Sequence, residues 1–260
     1  MDTSFFTTHD GVWFQPTDAC RGPWDPAACH AGPPSGLLAR ASEMAVPSQP
    51  LVRLTVDLFR PIPHAGFSIH TEVVRAGRSV STTAMTLVNG DGQPVITASG
   101  MHLASGDVDP IATTRYDTPR LNEARPDRFP SPEGEHDLPA FTTGVSSMYP
   151  PGHEPTPGPT IMWMRALPLL PDEEGSGFQR ICPLADCGNA VSRNADPDGI
   201  VFMNTDLTIM IHREPVGTWF GMDSVSRWEP TGAGLSDSLL FDEFGAVGKA
   251  LQTVLIRRTD

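Results

Sequence analysis

The sequence contains no run of about 18 apolar residues, so no segment reads as a membrane-spanning helix. Basic residues are scarce: 18 Lys and Arg stand against 31 Asp and Glu, a formal charge of −13. Nucleic-acid binding needs a basic stripe along the phosphate backbone, and none is present, so a nucleic-acid partner is not expected. A few local arginines would still suffice for a phosphorylated small molecule. Cysteine is sparse as well. Cys20, Cys29, Cys182 and Cys187 form no C-x-x-C pair and have no His at ligand spacing, which leaves no zinc or redox motif and reads as inert thiols. Neither G-x-G-x-x-G nor a P-loop occurs, so no nucleotide cofactor is expected. The opening "MDTSFFTTHDGVWFQP" has no basic n-region and no apolar h-region; the expectation is a cytoplasmic protein without a secretory signal.

Proline, by contrast, is abundant and concentrated. Of 27 prolines, 11 fall between Asp107 and Thr160. Proline removes backbone donors and continues neither a helix nor a central strand, so this stretch is expected to be largely irregular. The chain, at 260 residues, then divides into residues 1–106, a proline-rich linker 107–159, and residues 160–260.

The two halves carry the same order of signals. In the first, a Gly/Pro entry leads into a helix expected from about Ser35 to Met44, with Leu37, Leu38 and Ala41 on one stripe. Four strand-like segments follow, "RLTVDLFRP", "FSIHTEVVRAG", "SVSTTAMTLVNG" and "PVITASGMHL", with a hairpin cue at Asn89–Gly92. In the second half "PLADCGNAVSRN" takes the helix position and four more strand-like segments follow. Pro61 and Pro215 mark matching positions, 215 − 61 = 154 apart. The pattern is a helix followed by an antiparallel meander, twice. Pairing the halves edge to edge would hide strand edges that otherwise invite aggregation.

This pattern resembles the acyl-CoA thioesterase II family, especially its actinobacterial-type members. The residues that carry the resemblance are "GPW", "HAGPPSGLLARA", "RLTVDLFRPIP" and "EVVRAGRSV" in the first half, and "ADCGNAVS", "NTDLTIMIHREPVG", "WFGMDSVSR" and "DEFGAVGKALQTVLI" in the second. The resemblance implies an α+β double hotdog, two helix-wrapped antiparallel sheets pairing into one extended sheet. It also implies an acyl-CoA substrate, a homodimer or higher oligomer, and hydrolysis by an activated water held by an Asp, a Thr and a Gln. Carried over by position, these fall on Asp186, Thr205 and Gln252.

Strand alternation examines the same residues independently. In "TDLTIMIH", Thr205, Leu207, Ile209 and Ile211 share one face, expected to be the helix-facing one. Gln252 shares its face with Val254 and Ile256, and an amide among aliphatics needs a hydrogen-bonding reason to be there. Each residue also has a bland reading: Asp186 as an N-cap, Thr205 as an ordinary strand residue, Gln252 as a strand-bridging amide. Backbone N–H groups near Gly188 and Asn189 are the candidate oxyanion donors. The first half has Val56 in place of the Thr, no Asp at its helix entry, and Ser99 near the Gln position, so it is expected to be the non-catalytic wall. Glu43 is an alternative acid unless it pairs with Arg40 or lies in solvent; His30 reads as structural rather than catalytic. Arg75, Arg78 and the C-terminal Arg257 and Arg258 are possible CoA phosphate contacts or merely solvated strand-end charges. No His accompanies Asp186 in "ADCGNAVSRNADPDG", which disfavours hydratase chemistry. Rival readings are a non-catalytic acyl-CoA or lipid-binding module and an acyl-carrier-protein thioesterase, the latter disfavoured because acidic carriers repel an acidic chain.

Overall fold

From Val80 to Val88 every second side chain is buried, Ser81, Thr83, Met85 and Leu87 pointing one way. That period of two, repeated along most segments, builds a sheet with one face turned to a core. The computed structural model describes residues 2–109, 111–130 and 138–259; Pro110 and residues 131–137 of the proline-rich segment lie outside the described residues.

In chain order the elements begin with β1 (Phe6–Thr7), β2 (Trp13–Pro16), α1 (Gly32–Ala45), β3 (Leu51–Leu58), β4 (Phe67–Arg75), β5 (Val80–Val88) and β6 (Pro94–Leu103). There follow β7 (Arg125–Asp127), β8 (Val145–Tyr149), β9 (Thr160–Ala166), α2 (Gly177–Ala185), α3 (Gly188–Val191), β10 (Ile200–Asn204), β11 (Asp206–Ile211), β12 (Phe220–Trp228), β13 (Ala233–Asp242) and β14 (Gly245–Arg258). One sheet of 14 strands runs β1-β2-β4-β5-β6-β3-β11-β14-β13-β12-β9-β8-β7, with β10 pairing β14. All of its pairings are antiparallel among the described residues. The seam between the two halves is β3 against β11, where Thr55 faces Thr208 and the Thr208 hydroxyl donates to the Thr55 hydroxyl at 3.3 Å. Each of these strands would be an open edge without the other.

The helices lie on the inner face and pack against each other. α1 starts at Gly32-Pro33-Pro34, where the missing proline N–H groups cost nothing because first-turn donors have no helical partner. Its glycines let the two helices approach: a Cβ on Gly32 would lie 2.9 Å from the Pro183 carbonyl oxygen, and one on Gly36 would lie 3.1 Å from the Gln179 carbonyl oxygen. Around them Leu37, Leu38, Leu54, Phe67, Phe178, Ile181 and Leu207 form one continuous core.

Two departures from the sequence expectation matter for the site. The second helix begins earlier than "PLADCGNAVSRN": α2 opens at Gly177, capped by the Ser176 hydroxyl accepting from the Gln179 N–H at 3.1 Å. It stops at Ala185, and only the four residues of α3 follow. Asp186 is therefore the residue closing α2 at a helix break, and its side chain makes no N-cap bond for α3. The proline-rich segment is also less irregular than expected. It contributes β7 and β8, and Pro126 is tolerated because β7 is the outermost strand of the sheet.

Candidate active site

The helix break buries a carboxylate. Asp186 retains only 4% of its surface, and its main-chain N–H still reaches the Cys182 carbonyl at 3.3 Å. A charge so placed needs partners, and three side chains from separate elements supply them. Gln252, on the inner face of β14 between buried Ala250 and Val254, donates through Nε2 to the Asp186 carbonyl at 2.8 Å and to Oδ1 at 3.2 Å. Asn204, last residue of β10, donates through Nδ2 to the same Oδ1 at 2.9 Å and to the Asp186 carbonyl at 3.2 Å. Oδ2 faces His30, whose Nδ1 lies 3.0 Å away.

His30 arrives from the first half, on the loop before α1. Its N–H donates to the Cys20 carbonyl at 2.7 Å, the neighbouring Cys29 N–H donates to Ile62, and Ala28 bridges Pro63. The ring stacks on Phe141 with centroids 4.0 Å apart and planes within 9°. Nδ1 is also 3.2 Å from the Gly32 N–H, which would have it accept rather than donate. Nδ1 thus accepts from the Gly32 N–H while the Asp186 carboxylate stands beside it at ion-pair distance.

Of the residues picked from the sequence, Asp186 and Gln252 meet and Thr205 does not. Thr205 is exposed, and its hydroxyl reaches only the Thr253 carbonyl at 3.4 Å. The cause is a one-residue bulge. Asn204 opposes Val254 while Thr208 opposes Leu251, so Thr205 is an extra residue between β10 and β11, and the phase of alternation flips there. The Asp206 carboxylate takes the Thr253 N–H at this irregularity. Leu207, Ile209 and Ile211 do face inward as expected, but upstream of the bulge the inward residue is Asn204. Sequence reasoning gave Asn204 no role, because the bulge that turns it inward leaves no local signal, and it missed His30 as a neighbour of Asp186 altogether.

The other candidates are placed as follows. The Asn189 N–H donates to Gln252 Oε1 at 3.0 Å and its Oδ1 accepts from Trp228 Nε1 at 3.1 Å. Its main-chain N–H therefore ties the helix break to β14. Gly188 packs under Ser238, Ser236 and Gln252. Glu43 neither pairs with Arg40, which binds Glu173, nor approaches Asp186. It accepts from Ser176 Oγ at 2.8 Å and Gln179 Nε2 at 2.6 Å, at the start of α2, a helix length of roughly 13 Å from the break. Burial raises its carboxyl above the usual value, partly offset by those two bonds. Arg75, Arg78, Arg257 and Arg258 are exposed at strand ends.

In the first half the corresponding place has no acid. Val56 is buried, Ser99 is exposed, and Gly100 takes the inward position, directly under Ser42 and Thr83. Ser42 Oγ lies 2.6 Å from Thr83 Oγ1 and 2.9 Å from His102 Nε2, and His102 Nδ1 lies 3.0 Å from the Gln49 carbonyl. Burial lowers the pKa of His102, which suits a neutral ring closing a satisfied polar cluster.

A small cleft of about 40 Å³ opens against His30, walled by Arg21, Pro23, Phe129, Phe141 and Ala190. A larger one of about 440 Å³ shares Phe129 and Thr142 with it and adds Asp127, Arg128 and Ser146. All four cysteines are free and buried, and burial pushes the thiols of Cys20, Cys182 and Cys187 well up, away from nucleophilic use. Among the described residues no group of His, Cys, Asp or Glu is arranged to hold a metal ion, and no helix is long and apolar enough to cross a membrane.

Known proteins share this architecture. A candidate thioesterase from Novosphingobium aromaticivorans superposes with a TM-score of 0.75 at 16% identity, covering 96% of this chain and 98% of its own. A hot dog fold protein from Alicyclobacillus acidocaldarius gives 0.72 at 17%, covering 100% and 98%. The acyl-CoA thioesterase II TesB2 of Mycobacterium marinum gives 0.62 at 16%, covering 98% and 95%. At such identities the likeness shows the fold, a double hotdog. No curated protein matches the chain significantly. The model of the acyl-CoA thioesterase N-terminal domain matches residues 20–103, and that of the acyl-CoA thioesterase C-terminal domain matches residues 121–256, more than half of the sequence. With both domains present in order, the chain belongs to the acyl-CoA thioesterase family.

Proposed function

We propose that the protein hydrolyses acyl-CoA thioesters to the free acid and CoA, using a water activated beside Asp186. The observation that carries this reading is the convergence of Gln252, Asn204 and His30 on one buried carboxylate, next to a cleft. A thioester carbonyl is already electrophilic, so the protein needs chiefly to hold a water and remove its proton. Gln252 and Asn204 fix the carboxylate; Thr205, which the family resemblance implied, is replaced in this reading by Asn204. The division into a wall-forming N-terminal half, a linker and an acid-bearing C-terminal half is part of the same proposal.

One observation favours a second reading. Both oxygens of Asp186 are already engaged by protein groups, as they would be in a structural cluster of a non-catalytic acyl-CoA binder. Thiol release measured across CoA thioesters of graded chain length separates the two. Turnover on any of them supports hydrolysis, whereas acyl-CoA binding with no thiol release supports the binder.

A further inference from the structure

We infer that the small cleft beside His30 is the acyl subsite, that Phe129 of the proline-rich segment bounds its outer end, and that the substrates are CoA thioesters of short acids, about two to four carbons long. The inference rests on the hydrolytic reading above and names its substrate class.

The two clefts differ in character. Besides His30 and Arg21, the inner one, of about 40 Å³, is walled by Pro23, Ala140, Phe141 and Ala190. Its charged wall is already neutralised: Arg21 donates to Asp18 at 2.8 Å and to the carbonyls of Pro26 and Pro139. The rest is chiefly hydrocarbon, which suits an acyl chain. The outer cleft, of about 440 Å³, is rimmed by Asp127, Arg128, Thr142, Ser146 and Ser147. A wide, polar opening suits the CoA moiety, whose phosphates must stay in water.

Phe129 and Thr142 line both clefts, so the two meet there. The Phe129 ring stands edge-on to Phe141 with centroids 5.6 Å apart, and Phe141 stacks on the His30 ring at 4.0 Å. Phe141 is held in place: Phe5 stacks on it at 5.9 Å, and its N–H donates to the Arg21 carbonyl at 2.9 Å. The other wall lies against the helix break. His30 Nδ1 is 3.0 Å from Asp186 Oδ2, and Ala190 belongs to α3, which follows Asp186 directly.

Volume then decides length. One water-sized group occupies roughly 10–15 Å³ of such space, so the inner cleft takes about three of them. A methylene or methyl group is about as large as a water molecule, which limits the acyl chain to a few carbons. The pantetheine arm is excluded from the inner cleft on the same ground and is left the outer one. A longer acyl chain would have to displace the Phe129 ring, because the remaining walls are main-chain-tethered Phe141, the rigid Pro23 and the short side chains of Ala140 and Ala190.

The test runs the full-length protein on straight-chain thioesters from acetyl-CoA to palmitoyl-CoA. Wild-type kcat/KM should peak at about two to four carbons and fall about tenfold or more for each methylene that no longer fits. Phe129→Ala should move the peak to longer chains. Ala190→Leu, which fills the inner cleft from α3, should lower kcat/KM for acetyl-CoA and butyryl-CoA at least about tenfold. Circular dichroism and melting establish that both variants fold, and their opposite effects on chain length separate size selection from general damage. A wild-type peak at about eight carbons or beyond, a Phe129→Ala profile matching wild type, or undiminished short-chain turnover by Ala190→Leu overturns the inference and leaves hydrolysis intact. No turnover of any thioester overturns the hydrolytic reading instead. Calorimetric binding of the same series then reads the size limit directly: tightest binding of the short thioesters supports the subsite, and tightest binding of the long ones overturns it.

Discussion

Gln252 Nε2 lies 2.8 Å from the carbonyl oxygen and 3.2 Å from Oδ1 of Asp186, so one amide on the last strand grips both the main chain and the side chain of the helix break. Its Oε1 takes the Asn189 N–H across the same break. Gln252→Leu fits the apolar surroundings in size but strips all of these bonds. An unpaired buried group costs about 1–3 kcal/mol, so the variant should melt several degrees lower and lose at least about tenfold in kcat. Thermal melts and thiol-release kinetics check both; a variant that melts like wild type would mean the amide is not holding the break.

Asn204 and Thr205 are neighbours whose roles differ from the sequence expectation. Asn204→Ala removes a 2.9 Å donor from the Asp186 carboxylate, whereas Thr205→Ala removes a 3.4 Å contact at an exposed bulge. A hydrogen bond to a charged group contributes about 1.5–3 kcal/mol, so Asn204→Ala should reduce kcat/KM roughly tenfold or more. Thr205→Ala should stay within about twofold of wild type. The reverse ranking would restore Thr205 to the site.

What was legible in the sequence and what was not has a physical reason in each case. Leu207, Ile209 and Ile211 were placed inward because a backbone ladder enforces a period of two, and the structure agrees. Thr205 was misplaced because a bulge needs one extra residue and no particular residue type; nothing in "MNTDLT" announces it. Asp186 came from the family resemblance, and Gln252 stood out further because an amide among aliphatics demands a partner; the two do pair with each other. The partner of His30 was invisible, since a contact between two halves leaves no trace in the local pattern of either. The doubled helix-and-meander order was readable because it repeats whole elements, which single substitutions do not erase.

Gly188 leaves no room for growth. A Cβ there would stand 2.5 Å from Ser238 Oγ, 2.9 Å from Ser236 Oγ and 3.1 Å from Gln252 Oε1. Gly188→Ala should therefore push on the amide that holds Asn189 and Asp186, costing about 1–3 kcal/mol of stability as overpacking does. Activity should fall more than the stability loss explains, because Gln252 is displaced. Urea unfolding alongside kinetics separates the two; undisturbed activity would show that the amide tolerates the shift.

Asp242 and Arg213 supply a pH-dependent anchor at the β13–β14 hairpin. The Arg213 guanidinium forks onto both Asp242 oxygens at 2.7 and 2.6 Å, and the N–H groups of Val216 and Phe244 donate to them as well. Burial alone would raise the Asp242 carboxyl, but these donors outweigh it and hold its pKa below the usual 3.8. Between the folded and unfolded values the unfolded chain binds more protons, so this contribution is present in full above the unfolded value and lost as pH falls through the folded one. Arg213→Ala leaves a buried carboxylate without its fork and should cost about 3 kcal/mol near neutral pH. The gap between wild type and variant should then narrow in acid, where protonation relieves the unpaired charge. Urea midpoints at about pH 7 and about pH 3 test this, and a gap that stays constant would show that Arg213 stabilises the hairpin by packing its stem rather than by pairing charge.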